Sequence, residues 1–371
     1  MNKPHHHKGM PALVTTGRTL SRFEFWPMWA FYPPVLLYVL FLMLRYRGVM
    51  LPTVANPSFP GGGLVGESKA SILALGVRHA PQWFAPFITV QRPAHLDEHG
   101  LRHLLQRTCD HLEQAGLSLP LVAKPDLGCR GAGVKLLQTL SDLRQYLEKF
   151  PADATFLLQR LIPFEGEAGV FYCRHPNAAK GRIISLTLKY FPHVVGDGVS
   201  TLRQLILSDP RAGRLTHLYF PRHANKLDSI PKHGESVRLA FAGSHSRGAI
   251  FRDGSAWLTP AMQARFDEIS KQIPEFYFGR YDIRFEDFSH VQAGHGFTVI
   301  EVNGAGAEST HIWDCNVSLL KAWRDLMKQY KLLFQIGRAN WERGFEPLSW
   351  QEFRQWHRRE NELTPLYPAT D

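Results

Sequence analysis

Lys124-Pro125-Asp126-Leu127-Gly128-Cys129-Arg130-Gly131-Ala132-Gly133-Val134 is the stretch on which the reading of this chain turns. A short apolar run, Leu119–Lys124, ends in a lysine and opens into a loop with glycines at 128, 131 and 133. Small residues let backbone N–H groups approach an anion closely, and Lys124 and Arg130 add positive charge beside them. The pattern is that of a phosphate cradle, against the plainer reading of a glycine turn between strands. Upstream, Leu101, Leu104, Leu105 and Leu112 share one face of a predicted helix over His95–Gly116, with Gly116 as its stop. Downstream, Leu140–Phe150 returns to helical spacing and Ala154–Arg160 reads as a strand. The predicted order is strand, glycine loop, helix, strand.

A second constellation lies further on. Arg182–Tyr190 is a strand candidate, Thr201–Leu207 a short helix, and Thr259-Pro260 caps a helix that carries Met262, Phe266, Ile269 and Ile273 on one face. Two strands follow, Arg280–Phe285 and Phe297–Val302, and then a helix over Val317–Phe334. Glu301 and Asn303 stand two apart and so face one side, where Asp282 can meet them from the neighbouring strand. Three oxygen donors of this hardness suit Mg²⁺, or Mn²⁺, completed by nucleotide phosphates. Solvated acids at strand ends are the alternative, but Glu301 is embedded among Phe297, Val299, Ile300 and Val302 and needs a cation or donors.

Taken in order, Lys124-Pro125 with its glycine loop, Gln159-Arg160-Leu161-Ile162, Glu165-Gly166-Glu167, Gly279-Arg280-Tyr281-Asp282 and Glu301-Val302-Asn303 resemble the signature of the ATP-grasp superfamily. The metal strands resemble D-alanine:D-alanine ligases. Val194–Leu202, followed by Asn225-Lys226-Leu227-Asp228 and Gly234-Glu235, is similar to cyanophycin synthetase and to bifunctional glutathione synthetases. The resemblance spans roughly Gly66 to Met327. It implies an α+β fold of two lobes gripping ATP. It implies Lys124 on the phosphates under a lid formed by Gly128, Arg130, Gly131 and Gly133, and Gln159, Arg160, Leu161 and Ile162 at the adenine. Glu167, or Glu165, would hold the ribose; Asp282, Glu301 and Asn303 would bind Mg²⁺; Arg280 would neutralise an acyl phosphate. Lys69 matches a further ATP-contacting lysine by its distance to Gly76 alone. The activity implied is ligation of a small-molecule carboxylate to an amine, or to a thiol, through an acyl phosphate. Attack on a γ-phosphate requires alignment and charge dispersal rather than a protein nucleophile, and a closing lid keeps the acyl phosphate from water. His245 and Arg247 form a polar cluster that can contact substrate, and the small-residue loop Gly304–Thr310 can receive a substrate carboxylate on its N–H groups.

From Phe25 to Leu44 the chain carries no charge over twenty residues, about the ~20 that cross a bilayer core. Pro27, Pro33 and Pro34 confine the regular helix to about Pro34–Tyr46, while Trp26, Trp29, Tyr32 and Tyr38, bracketed by Arg22, Arg45 and Arg47, suit headgroup depth. Membrane association follows, as a crossing, a wedge or an interfacial helix; a buried core helix is the alternative. Gly61–Lys69 half-resembles a P-loop, but Glu67 occupies the lysine position. The expected organisation is a basic tail over 1–22, the hydrophobic segment over 23–50, a connector over 51–66, an N-terminal lobe over 67–155, a C-terminal lobe over 156–335 and an extension over 336–371. Only about sixty residues precede Gly66, so the acceptor site is expected to be built differently from that of family members with an additional leading domain.

The composition, 44% hydrophobic and 20% charged, supports a globular core, and Cys109, Cys129, Cys173 and Cys315 follow neither a disulfide nor a metal-finger spacing. The net charge of +10 suits phosphate ligands or an anionic bilayer, with the inner face of the cytoplasmic membrane as the expected location. The polar run at His5–His7 reads as a solvated tail. A phosphotransferase on the same scaffold and a basic binding module without turnover are the competing functions; no aromatic–basic interleaving points to nucleic acid. A homodimer is compatible with the sequence.

Overall fold

The computed structural model describes residues 7–13, 18–128, 131–241, 243–245, 248–368 and 370. Two helices, α1 (Met28–Phe31) and α2 (Pro33–Arg45), carry the hydrophobic segment, with prolines seated in the first turn of α2 where their missing N–H costs nothing. Among the described residues no helix is long and apolar enough to cross a membrane. Helix α3 (Lys69–His79) starts at Ser68, whose hydroxyl caps the N–H of Ser71. Strand β1 (Phe87–Gln91), helix α4 (Glu98–Gln114), strands β2 (Leu121–Pro125) and β3 (Lys135–Leu137), helix α5 (Leu140–Lys149) and strand β4 (Thr155–Arg160) build the first lobe. Its antiparallel sheet runs in the order β1-β4-β2-β3. Ile88, Val90, Leu121, Ala123, Phe156 and Leu158 point to one face and form a core with Leu101, Leu112, Leu143 and Leu147 of the two helices. Each of the larger buried side chains among these contributes about 1.5–3 kcal/mol. The opposite face carries Lys124 and Gln159.

The second lobe contains β5 (Gly166–Cys173), β6 (Arg182–Tyr190), β7 (His193–Val195), α6 (Leu202–Ser208), α7 (Thr216–Arg222), β8 (Ser236–Arg238), β9 (Ile250–Asp253), α8 (Pro260–Gln272), β10 (Phe278–Phe285), α9 (Phe288–Gln292) and β11 (Phe297–Asn303). Its five-stranded sheet has the order β11-β10-β5-β6-β9, all antiparallel, with β7 and β8 as a separate ribbon. Ala168, Val170, Leu186, Leu188, Tyr281, Ile283 and Val299 pack from one face on Met262, Phe266 and Ile269 of α8 and on Ile72 and Leu73 of α3.

Two further helices complete the chain, α10 (Leu319–Glu342) and α11 (Trp350–Leu363). The hydrophobic segment lies on α10: Phe31 and Val35 join Ala322 and Leu326, Leu42 meets Phe334, and the Trp323 indole donates to the carbonyl of Phe31 at 2.8 Å. Glu24 and Arg211 clamp its start through a buried ion pair at 2.6 Å. The other face of α2 is bare, with Leu36, Leu37, Leu40, Phe41 and Leu44 exposed beside Trp26 and Trp29. Residues 7–13 also lie on the second lobe: Met10 enters its core, Phe288 N–H donates to the carbonyl of Gly9, and the Tyr190 hydroxyl donates to that of Pro11.

Candidate active site

The register of the five-stranded sheet determines which charges meet. Asp282 pairs with Glu301 across β10 and β11, Arg280 with Asn303, Arg284 with Glu167 across β10 and β5, and Glu167 with Lys189 across β5 and β6. Side chains alternate along a strand, so all seven stand on the face opposite the apolar core. Five of them, Glu167, Lys189, Arg280, Asp282 and Arg284, form a connected network there. Lys189 Nζ lies 3.1 Å from Glu167 and 3.0 Å from Asp282, Arg280 Nε 2.9 Å from Asp282, and Arg284 Nη2 2.9 Å from Glu167. Gly169 makes the Lys189 crossing possible, because a Cβ there would stand 3.1 Å from Arg280 Cδ and 3.3 Å from Asp282 Oδ1. Burial pushes both carboxyls up, but Arg280 and Lys189 hold Asp282, and Lys189 and Arg284 hold Glu167, below the usual carboxylate range.

The other sheet delivers Lys124 to the same cleft. A bulge between Asp282 and Ile283 leaves Ile300 out of the β10–β11 ladder, and its carbonyl accepts from Lys124 Nζ at 3.1 Å. Lys124 also donates to Gln159 Oε1 at 2.7 Å. Burial pulls the Lys124 ammonium below its ordinary value, with Glu301 and Glu167 opposing the shift. The glycine loop follows at once. Lys69 Nζ donates to the carbonyl of Gly128, and Asp126 accepts from Ala70 N–H at 2.8 Å and from Ser68 at 2.9 Å, so the start of α3 is tied to the loop. The C-terminal segment lies over it: the Tyr367 hydroxyl donates to Leu127 O at 2.7 Å, while Thr370 Oγ1 donates to Gly131 O and accepts from Gly133 N–H. Gly133, at φ +70°, has no room for a Cβ between Pro125 and Tyr367.

Lys124, Gln159, Glu167, Arg280, Asp282, Glu301 and Asn303 therefore gather between the two sheets, while Lys69 is joined to Gly128 of the glycine loop and Gly131 and Gly133 lie under the C-terminal segment. Arg160 ends β4 and reaches out to the carbonyl of Gly116 rather than into the cleft, and Leu161 and Ile162 begin the connector from β4 to β5. Glu165 turns towards the N-terminal segment, 3.1 Å from His7. His245 stacks on Trp313 at 4.8 Å, next to the hydrophobic segment. Nearby Gly243 lies against Glu167, since a Cβ there would fall 1.9 Å from Glu167 Oε1. Arg130, Cys129 and Arg247 lie outside the described residues.

Sequence reasoning did not single out Lys189, Arg284 or Glu67. The first two were legible only as charges in otherwise apolar strands, on the same alternation as Glu167 and Asp282. Glu67 accepts from Gly304 N–H at 2.7 Å, and burial, reinforced by Glu301 and opposed by Lys69 and Arg280, pushes its carboxyl up to about 7. Loop 304–310 is thus gripped from several sides: Arg280 Nη1 donates to Glu308 O at 3.0 Å, and the Tyr32 hydroxyl at the start of α2 donates to Glu308 Oε1 at 2.7 Å.

The donor set fits a hard cation. The Glu301 side chain makes no hydrogen bond or ion pair among the described residues, and the buried Nδ2 of Asn303, which exchanges places with Oδ1 by a half-turn of the amide, is also without a partner. Glu301, Asn303 and the cation-neutralised Asp282 are the groups that would hold Mg²⁺ there.

No known family profile matches the chain, and no curated protein matches it. The solved structures it is similar to include two ATP-grasp enzymes. The bifunctional glutathione synthetase from Pasteurella multocida is 17% identical over 71% of this chain, with a TM-score of 0.35. VanG D-Ala:D-Ser ligase from Enterococcus faecalis is 14% identical over 73%, with a TM-score of 0.39. The chain spans 35% of the first of these and 64% of the second. Both likenesses are distant.

Proposed function

We propose that this chain is an ATP-dependent ligase of the ATP-grasp type that joins a carboxylate to an amine, or to a thiol, through an acyl phosphate at a membrane surface. The observation that carries the reading is the meeting of Lys124 with the carbonyl of Ile300, next to Glu301, at 3.1 Å. One lobe brings a buried cation and a glycine loop; the other brings the Glu301 carboxylate, without a partner among the described residues, and a metal-bound triphosphate satisfies both at once. Mg²⁺ held by Asp282, Glu301 and Asn303 would disperse charge on the phosphates. Lys124 and Lys69 bind the triphosphate from the opposite side, and the glycine loop excludes water above it. Arg280, fixed by Asp282 and the Glu308 carbonyl, faces loop 304–310, where the acid would dock and where an acyl phosphate needs a cation.

The bare face of α2 supports the membrane part. Thirteen residues of helix reach about 20 Å, too short to cross a bilayer but long enough to lie in its interface with Leu37, Leu40 and Leu44 in the acyl region. The Tyr32–Glu308 hydrogen bond links that helix to the substrate loop, which favours an amphiphilic acid or acceptor.

Phosphate release from ATP, measured with a panel of acids and amines and with Glu301→Gln as the blank, tests the catalytic reading. Release that requires both an acid and an amine supports ligation. Phosphate recovered on the acceptor instead identifies a phosphotransferase, and release that no acid stimulates removes the ligase.

A further inference from the structure

Away from the cleft, three metal-ligating side chains from distant parts of the sequence converge. His7 belongs to the N-terminal segment, Glu165 to the connector between β4 and β5, and His193 opens β7. One ligand atom from each lies within 4.8 Å of the others. Transition-metal ligands bound at about 2.0–2.2 Å sit roughly 3.3 Å apart in a tetrahedron, so side-chain adjustments of about an ångström close the set around an ion.

The site is also built. His7 is buried, at 6% exposure, with its Nδ1 3.1 Å from Glu165 Oε1, and its ring meets the edges of Tyr190 and His193 at 5.1 and 5.6 Å between centroids. Glu165 Oε2 accepts from the N–H of Lys8 at 3.3 Å, which orients the carboxylate. His193 Nδ1 stands 2.9 Å from the carbonyl of Phe191, so that nitrogen donates and Nε2 is the atom that would reach a metal. A ligating imidazole commonly has its other nitrogen fixed to a backbone carbonyl in this way.

We infer that His7, Glu165 and His193 form a transition-metal site of the Zn²⁺ class that fastens the N-terminal segment to the connector between β4 and β5. Two imidazoles, borderline donors, beside one carboxylate select Zn²⁺-like ions over Mg²⁺, so this site is chemically distinct from the oxygen set at Asp282, Glu301 and Asn303. The backbone around it is already committed to that geometry, because Gly9, two residues on, accepts from Phe288 N–H at 2.8 Å and a Cβ there would fall 1.7 Å from Glu286 O. The ion would order residues 7–11 and the connector together.

The test uses the full chain without an added affinity tag, stripped with a chelator and titrated with Zn²⁺ by calorimetry and with Co²⁺ by visible absorption. One equivalent is expected, with the intense d–d bands of a low-coordinate Co²⁺ site and slowed amide exchange over residues 8–13. His193→Gln, Glu165→Gln and His7→Gln should each weaken binding at least tenfold, while a double change of His5 and His6 to Ala should leave it within about twofold. Metal-free circular dichroism of each variant verifies folding, and three independent ligand changes keep the test decisive if one variant does not fold. Binding unaffected by His193→Gln and Glu165→Gln but lost with His5 and His6 would assign the ion to the histidine run and overturn the site, as would absence of stoichiometric binding.

Discussion

The two sheets that face each other across the cleft contribute in opposite ways. The four-stranded sheet presents Lys124 and Gln159, joined to each other and backed by a purely apolar helix-covered face. The five-stranded sheet presents Glu167, Lys189, Arg280, Asp282, Arg284, Glu301 and Asn303 as a preorganised plate, most of whose charges are already neutralised by neighbours. A ligand gripped between such surfaces meets one adaptable cation from the lobe that carries the glycine loop and a rigid charge lattice from the other. Preorganised dipoles and charges lower a barrier because they need no rearrangement at the moment of reaction.

The largest effect is expected from removing the donors that lack partners. Glu301→Gln should lower acid-dependent ATP turnover by at least about 100-fold while leaving the melting temperature within a few degrees, since Glu301 contributes no ion pair to the plate. Lys124→Met should come next, raising the apparent dissociation constant for ATP by at least about tenfold in a nucleotide-binding assay. That variant is expected to fold stably, because an apolar chain replaces an ammonium whose burial is already unfavourable. If Lys124→Met binds ATP normally, the contrast between the two sheets is wrong.

Gly169→Ala sharpens the comparison from the other side. The added methyl crowds Arg280 and Asp282 and blocks the path of Lys189, so kcat should fall by roughly tenfold with little change in ATP affinity. The contact between the C-terminal segment and the glycine loop should matter less: Tyr367→Phe removes the hydrogen bond to Leu127 O, worth about 1 kcal/mol, and should raise proteolytic cleavage of the loop a few-fold.

The smallest effect concerns pH. The Glu67 carboxyl is raised to about 7 by burial, above its unfolded value of 4.5, so the folded state binds the extra proton. Its contribution to stability is full below pH 4.5 and is lost as pH rises through 7. In chelator-treated protein, Glu67→Gln should therefore flatten the fall in melting temperature between pH 4.5 and about 7, the window those two values define.

Long, strongly patterned elements were legible from the sequence. Helix α8 begins at Pro260 behind its Thr259 cap, β6 spans Arg182–Tyr190, and α5 starts at Leu140 behind a Thr139 capping box. Strand β5 was not, although it lies between β10 and β6: every residue of Gly166–Cys173 is buried, so the two-residue alternation that marks a half-exposed strand is erased, and Gly166 and Gly169 lower its β propensity. The hydrophobic segment was legible as apolar but not in its placement. Its composition is the same whether it crosses a bilayer or packs on a helix, and the structure seats one side of α2 on α10.

The sequence by itself determined the local chemistry: which residues end a strand in a lysine, which loop is small enough to admit an anion, and that Glu301 and Asn303 share a side. Those properties depend on bond geometry and on neighbours a few positions away. Only the tertiary structure decided the partners: Lys189 reaching Asp282 past Gly169, Lys124 finding the carbonyl that a bulge exposes at Ile300, Tyr32 holding Glu308, and His7 meeting Glu165 and His193. Such contacts join residues from 93 to 276 positions apart in the sequence, as the numbering shows. Register and sheet order, set by burial of the whole core, bring them together.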